Sequence, residues 1–339
     1  MFYKKCIYEQ IIKHLILFHN IFIEKEAVLR VMLKEWIMNH IAFDALNPAQ
    51  LYEKVLPVME EKAMKNRRKV FLAAVMAGVF IGLGFVYCAM ANVAGAGKIV
   101  GGLVFSLGLM LVVVCGGDLF TSSTLTLIPR AHGSVTWRQV FANWGVVYVG
   151  NFVGSILLVM IVLLSGHPWE SGGNVALFYI NTTAHKLDHT FVEAVFLGIL
   201  CNLMVCLGVW MSYAGRSLLD KMAACLLPVG LFIACGFEHS VANMFMIPIG
   251  IICSQIMPPE VAAKLASPHA LTSELTWWNF LIKNLIPVTL GNIIGGGILV
   301  GLYQWNLHSP IRNKQSDRFC PPENPRHNGL HDLHGDGRA

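Results

Sequence analysis

The sequence predicts an all-α integral membrane protein of six transmembrane helices, built as an inverted 3+3 repeat with helices 2 and 5 broken. Three observations predict it. First, the 339 residues are 55% hydrophobic and 13% charged, with mean hydropathy +0.58, which describes a membrane protein better than a soluble enzyme. Second, two long apolar runs are interrupted by polar cassettes: Cys115-Gly116-Gly117-Asp118-Leu119-Phe120-Thr121-Ser122-Ser123-Thr124, and Cys235-Gly236-Phe237-Glu238-His239-Ser240-Val241-Ala242-Asn243. Third, Cys115 and Cys235, Gly116 and Gly236, and Asp118 and Glu238 are each separated by the same interval. Interrupted hydrophobic segments at matching places in two halves point to a membrane transport site.

A carboxylate and an imidazole inside a plain membrane helix would face hydrocarbon, where a charge costs ~2.5–3.5 kcal/mol on insertion scales. A helix that stops, exposes polar groups to an enclosed cavity and restarts avoids that cost. Gly236 permits such a break, and Ser240 is a candidate cap for the restart. The net charge of +5 is modest for this length. Its basic residues cluster in loops and read as topology signals, not as a nucleic-acid surface. The 9 Cys lie mostly inside apolar runs with no Cys-x-x-Cys pair, so buried free thiols are expected, without a metal centre, disulfide framework or cofactor.

Residues 1–40 read as an amino-terminal extension. The apolar run Leu15 to Ile23 contains His19 and Asn20 and is flanked by Lys13 and Glu24, too short and broken to span. No small-residue cleavage site follows it. Met32 and Met38 offer alternative starts, and the extension is expected to be dispensable. Residues 41–69 carry a cytoplasmic amphipathic helix with Leu51, Val55, Leu56 and Met59 on one side. Asn47-Pro48-Ala49 resembles a triplet that aquaporin-like channels place at two half-helix starts. A single copy in a polar segment reads as an ordinary helix start with Pro48 in the first turn.

Residues 70–305 hold the six spans: about Val70–Ala91, Ile99–Ile128, Val140–Leu164, Phe191–Met211, Met222–Ile256 and Phe280–Tyr303. Unbroken, the second would run roughly 45 Å at ~1.5 Å per residue against ~30 Å of hydrocarbon, which supports a break. Pro287 is expected to kink the sixth. Residues 306–339 form a polar cytoplasmic tail. Its His327, His331 and His334 suit a metal, but a solvated, disordered tail is the simpler reading.

Three spans per half is odd, so the second half must sit upside down. Asn143 and Gly150-Asn151-x-x-Gly154 match Asn284 and Gly291-Asn292-x-x-Gly295 in spacing, and Gly78 pairs with Gly198. Lys62, Lys65, Arg67, Arg68, Lys69, Arg130, Arg138, Arg216, Lys221, Arg312, Lys314 and Arg318 fall on one side. Only Lys98, Lys186 and Lys264, with Lys283 at a helix end, fall on the other. Both termini are therefore expected in the cytoplasm.

A half-helix start offers free N–H groups and a positive dipole end. Two converging starts favour an anion or a strongly polar small solute. Thr121 brings a hydroxyl, His239 a ring N–H and Asn292 an amide. A lone histidine in a soluble core is usually structural; inside a span it marks a pathway. Asp118 and Glu238 either brace the breaks or line the pore. Leu119, Phe120, Phe105, Leu109 and Phe232 are candidate constriction residues, with packing as the default for any one of them. The GxxxG pairs, Gly150 with Gly154 among them, indicate a tight bundle and say nothing of what passes through it.

Several stretches in register resemble the formate–nitrite transporter family, most closely its formate-channel members, from about Phe43 to Trp305. They are Asp118 to Ser123, Asn202-Leu203-Met204-Val205-Cys206 through Tyr213, Gly236-Phe237-Glu238-His239-Ser240 through Asn243-Met244, and Asn284-Leu285-Ile286-Pro287 through Asn292. The resemblance implies an aquaporin-like protomer in a homopentamer, each with its own pore. It implies that Leu119-Phe120-Thr121 gates and that His239, Thr121 and Asn292 touch the anion. It also sets Phe105, Leu109 and Phe232 at constrictions. Glu238, Asn243 and Asn202 join the substrate pathway, and Lys186 is basic on the periplasmic side. Lys62 and Lys65 compete for the matching role near the amino-terminal helix.

The expected function is a passive, pH-sensitive channel for small monovalent anions, formate first, in the bacterial inner membrane. Nitrite, hydrosulfide and a neutral-solute pore are the rivals. Its expected partners are the anion, the bilayer, copies of itself and a cytoplasmic formate-metabolising protein. A membrane enzyme built on the histidine lacks a nucleophile–base pair or metal spacing to support it.

Overall fold

A computed structural model describes residues 46–265 and 273–309. The extension at 1–40 and the histidines of the tail lie outside the described residues. All regular structure among the described residues is helical. Five of the described helices are long and apolar enough to cross a membrane.

Chain-local chemistry sets the helix ends. The first helix, α1 (Pro48–Met64), starts from a reciprocal cap: Asn47 Oδ1 accepts from the Gln50 N–H, and Gln50 Oε1 accepts from the Asn47 N–H. Asn47-Pro48-Ala49 is thus an ordinary start outside the spans, with proline where no N–H is needed. Asn66 caps α2 (Arg67–Val93). The next helix, α3 (Gly97–Cys115), stops at Gly116, whose φ of 79° is open to glycine. The chain resumes helically as α4, residues 120–132. Thr136 with Gln139 caps α5 (Trp137–Leu164), and Thr190 with Glu193 caps α7 (Phe191–Ala214) in the same reciprocal way. Between them runs α6 (Asn174–Leu187).

The second interruption repeats the first. The helix α8 (Leu218–Ala234) ends just before Gly236 at φ 73°, and α9 (Ser240–Ile256) follows. The last helix, α10 (Trp277–His308), contains two wide π-type stretches, Phe280–Leu285 and Ile293–Leu302. Pro287 falls just after the first of them. The wider winding carries the helix past a residue with no N–H to give.

The helices pack in two like pairs, α2 with α5 and α7 with α10. Glycine makes both approaches possible. A Cβ at Gly154 would strike the Val75 carbonyl, and one at Gly295 the Ile199 carbonyl. Large apolar side chains such as Leu72, Phe196, Leu227 and Leu290 are exposed on the outside of the bundle, as lipid contact requires. Cys88, Cys201, Cys206, Cys225 and Cys253 are buried free thiols, but Cys115 and Cys235 are exposed. Each of those two closes a helix just before the glycine turn, where the bundle opens.

Candidate functional site: two lysine-bearing cavities and a polar contact between them

Each interruption borders a cavity. One, of about 260 Å³, is lined by Lys62, Lys65, Gly117, Asp118, Ser122 and Lys221. The other, of about 440 Å³, is lined by Lys98, His185, Lys186, His189, Cys235 and Glu238. Phe105, Leu109, Leu119, Phe232 and His239 line neither and are at most 2% exposed.

The carboxylates belong to the cavities. Asp118 Oδ2 meets Lys65 Nζ at 3.0 Å and Oδ1 meets Lys62 Nζ at 3.7 Å. Lys62 Nζ also donates to Ser122 Oγ at 3.1 Å. Glu238 Oε1 meets Lys186 Nζ at 2.7 Å, while Oε2 accepts from Asn243 Nδ2 at 2.6 Å and Asn284 Nδ2 at 3.0 Å. Bracing a break and lining a cavity are therefore one task for these side chains. Burial pulls the Lys62 ammonium below the usual lysine range; Asp118 pulls it back up and Lys65 adds to the lowering.

Two asparagines hold the restarts. Asn151 Oδ1 accepts from the Phe120 N–H at 2.8 Å, and its Nδ2 donates to Ala74 O and Asp118 O. Asn292 Oδ1 accepts from the Ser240 N–H at 2.9 Å, and its Nδ2 donates to Gly198 O and Glu238 O. The loops themselves hang on the neighbouring helices through Asp118 N–H to Ala73 O and Glu238 N–H to Leu197 O. Both amide hydrogens of Asn292 are engaged with backbone carbonyls. The bonds correct one expectation. The counterpart of Gly198 is Ala74, one helical turn before the expected Gly78. Sequence spacing could not fix that register, because glycine recurs along both helices.

The corrected register exposes a relationship that the sequence reading missed. The interval from Ala74 to Gly198 also separates Lys62 from Lys186. Asn143 Nδ2 donates to Lys62 O at 2.9 Å, and Asn284 Nδ2 donates to Lys186 O at 3.1 Å. Lys62 and Lys186 thus occupy matching places on α1 and α6, and the same interval sets Lys65, beside Asp118, against His189, beside Glu238. Asn151, Asn284, His185 and His189 were not among the expected site residues, and Lys62 and Lys65 were left competing for one role. The interval was the signal that could have matched Lys62, and not Lys65, to Lys186.

The two interruptions meet at one polar contact, His239 with Thr121 Oγ1, at 3.1 Å from Nε2. His239, not Ser240, caps α9: its Nδ1 accepts the Ala242 N–H at 2.9 Å. Imidazole is the better placed acceptor, and the Ser240 hydroxyl stays without a partner. With Nδ1 accepting, the neutral ring carries its proton on Nε2 and donates to Thr121. The Phe232 ring stacks on His239 at 5.7 Å between centroids and meets Phe105 edge-on at 5.9 Å. Asn202 Nδ2 donates to Thr121 O at 3.1 Å and Asn292 O at 2.6 Å, and Cys206 Sγ also donates to Thr121 O. Asn202 and Asn243 therefore place other groups. The Phe120 ring packs on Tyr148 at 4.8 Å and Trp144 at 6.1 Å.

The profile of the formate/nitrite transporter family matches residues 49–306. The chain belongs to the formate/nitrite transporter family. Among its relatives is "Formate channel FocA" of Escherichia coli (strain K12), 50% identical over 272 residues, covering 78% of this chain and 95% of the relative. The namesake from Haemophilus influenzae is 45% identical, covering 77% and 94%. A solved structure described as "Pentameric formate channel with formate bound" matches with a TM-score of 0.67 at 45% identity, covering 71% of this chain and 97% of that one. An "FNT family ion channel" matches at 0.62 and 24% identity, covering 76% and 98%, which speaks to the fold alone. The formate/nitrite transporter family is one of membrane transporters and not enzymes, in keeping with the apolar helices of this chain.

Proposed function

We propose that the protein is a passive channel for small monovalent anions, formate first, in the bacterial inner membrane. The observation that carries this reading is the Thr121–His239 contact, which joins two helix interruptions between lysine-bearing cavities. An anion is drawn to either cavity by Lys62 or Lys186 and reaches a water-poor passage past Leu119, Phe105, Leu109 and Phe232. There it replaces Thr121 as acceptor for His239 Nε2, while Asn292, Asn202, Asn243 and Glu238 hold the passage in shape. A bare charge is costly in such a place. A protonated His239 relieves that cost: imidazolium and formate give neutral imidazole and formic acid, with proton and charge conserved. Charging the ring also requires Nδ1 to release the Ala242 N–H, so protonation loosens the start of α9.

The matched bonds of Asn151 and Asn292, and of Lys62 and Lys186, support an aquaporin-like inverted repeat of six spans. In it the α3–α4 and α8–α9 pairs each serve as one broken span. The described pentamer among the relatives supports a homopentamer with a pore in each protomer. The basic-loop bias supports cytoplasmic termini, which puts the Lys62 cavity inside and the Lys186 cavity outside. Nitrite and hydrosulfide are the rivals within the family. Nothing in the site or in the relatives supports a cytoplasmic metabolic partner, and none is proposed.

The test is flux of formate, nitrite and hydrosulfide into proteoliposomes from about pH 5 to 8, the window in which an unperturbed histidine changes charge. His239→Asn keeps a side-chain acceptor for the Ala242 N–H and removes the titration. Formate flux in the wild type should exceed that of the other two anions and vary with pH, and the variant should lose the variation. An unchanged pH profile in the variant removes His239 from the mechanism. Preference for nitrite or hydrosulfide reassigns the substrate.

A further inference from the structure

The Lys186 cavity holds more titratable groups than attraction of an anion requires. His189 Nε2 faces Glu238 Oε1 at 3.7 Å, beyond hydrogen-bonding range, and is buried without a hydrogen-bond partner. The same Oε1 is held by Lys186 Nζ at 2.7 Å. One oxygen is therefore approached by two nitrogens and bonded by only one. The His185 ring lies 5.1 Å from that of His189. The other charged groups around this ring are Asp188 beside it, Glu193 on α7 and Lys98 on α3, which lines the same cavity. Glu193 is occupied, its Oε2 accepting from the Thr190 N–H and hydroxyl.

We propose that His189 is a proton-binding group that competes with Lys186 for Glu238, so that acidifying this cavity releases Lys186 to the incoming anion. The proposal rests on the channel reading above. With His189 neutral, Lys186 is the partner that compensates the buried Glu238 carboxylate. A proton on Nε2 turns an idle nitrogen into a cationic donor already aimed at Oε1. A small ring rotation then closes the gap, and Glu238 keeps a counter-charge after the Lys186 ammonium turns away. The cavity gains one positive charge and one free anion-binding amine together. Proton and anion binding are thus coupled, and each strengthens the other by the same factor.

The experiment compares wild type and His189→Gln in proteoliposomes, with pH varied only on the side facing this cavity. In the wild type the apparent KM for formate should fall about fivefold between pH 8 and 5, at the low end of coupling between sites. In His189→Gln it should change less than about twofold. His189→Arg, a fixed cation, should hold the low KM at every pH, which a merely structural role would not produce. A wild-type KM shift retained in His189→Gln overturns the proposal. A wild type that passes no formate refutes the channel reading instead. The competition is then judged on the Lys186 side-chain nitrogen resonance in 15N-lysine-labelled protein. Its environment should change on acidification in the wild type and not in His189→Gln; equal behaviour of the two overturns the proposal.

Discussion

Tyr148 Oη and Thr289 Oγ1 form a hydrogen bond of 2.8 Å, and each stands three residues before a bracing asparagine, Asn151 or Asn292. The two residues occupy the same place in the two halves and bond to each other. The bond therefore joins matching places on α5 and α10 directly. Tyr148 also supports the Phe120 ring, so this contact buttresses one of the expected gate residues.

Removing that bond tests its weight. Tyr148→Phe keeps the ring under Phe120 and deletes the hydroxyl. A stability loss of about 1 kcal/mol is expected for one such bond. It should appear as a lower thermal midpoint of the purified oligomer, with formate flux within about twofold of wild type.

The bracing asparagines should be far less tolerant. Asn292→Leu leaves the Ser240 N–H and the Gly198 and Glu238 carbonyls without their partner inside the bundle. Each unsatisfied buried group costs ~1–3 kcal/mol. Loss of assembled protein, or a steep fall in its thermal midpoint, is the expected outcome for Asn292→Leu and for Asn151→Leu alike. Unequal effects of several kcal/mol would show that the two halves do not share the load.

Lys62 and Lys65 should separate cleanly. Lys65 is a third exposed, and exposed ion pairs contribute little; Lys62 is the deeper one. Lys62→Gln is expected to lower formate flux about tenfold, equivalent to ~1.4 kcal/mol, and Lys65→Gln less than about twofold. The charged amine is the attracting form. Because burial lowers the Lys62 value, that form is present at low pH and is lost on raising pH sooner than for an ordinary lysine near ~10.4. Lys62→Arg should extend flux to higher pH on that side, measurable in an alkaline series.

Glycine contacts predict a sharp contrast along one helix. Gly154→Ala should abolish stable insertion, because its Cβ would strike the Val75 carbonyl. Gly145→Ala, also on α5 but with nothing near a new Cβ, should be tolerated. Expression and gel filtration of the two variants read the difference.

What was legible in the sequence was pattern. Matched cassettes around Gly116 and Gly236 marked both places where the helices stop, and Asn143, Gly150 and Asn151 found their counterparts by spacing alone. What was not legible was ownership of hydrogen bonds. Serine after a break is a common cap, yet His239 Nδ1 reaches the Ala242 N–H and Ser240 does not cap. An amide near an anion path looks like a ligand, and the spacing did not announce its bonds to the Gly198 and Glu238 carbonyls. The His189 approach to Glu238 arises from side chains far apart in the chain, so no local motif announced it. The choice between Lys62 and Lys65 stayed open for another reason: the match of Lys62 to Lys186 emerges only with the α2–α7 register, which repeated glycines blurred.

One asymmetry has a directional consequence. The positions just before the two restarts are Leu119 and His239, separated by the same interval as Asp118 and Glu238. In the proposed inverted repeat, two like halves facing opposite ways treat inward and outward traffic alike wherever the halves agree. Here they agree in bracing amide, carboxylate and lysine, and disagree at the innermost position, hydrocarbon against imidazole. Any rectification of the current must therefore originate where the duplicated halves have diverged. The current–voltage curve of a Leu119→His variant should be straighter than that of the wild type.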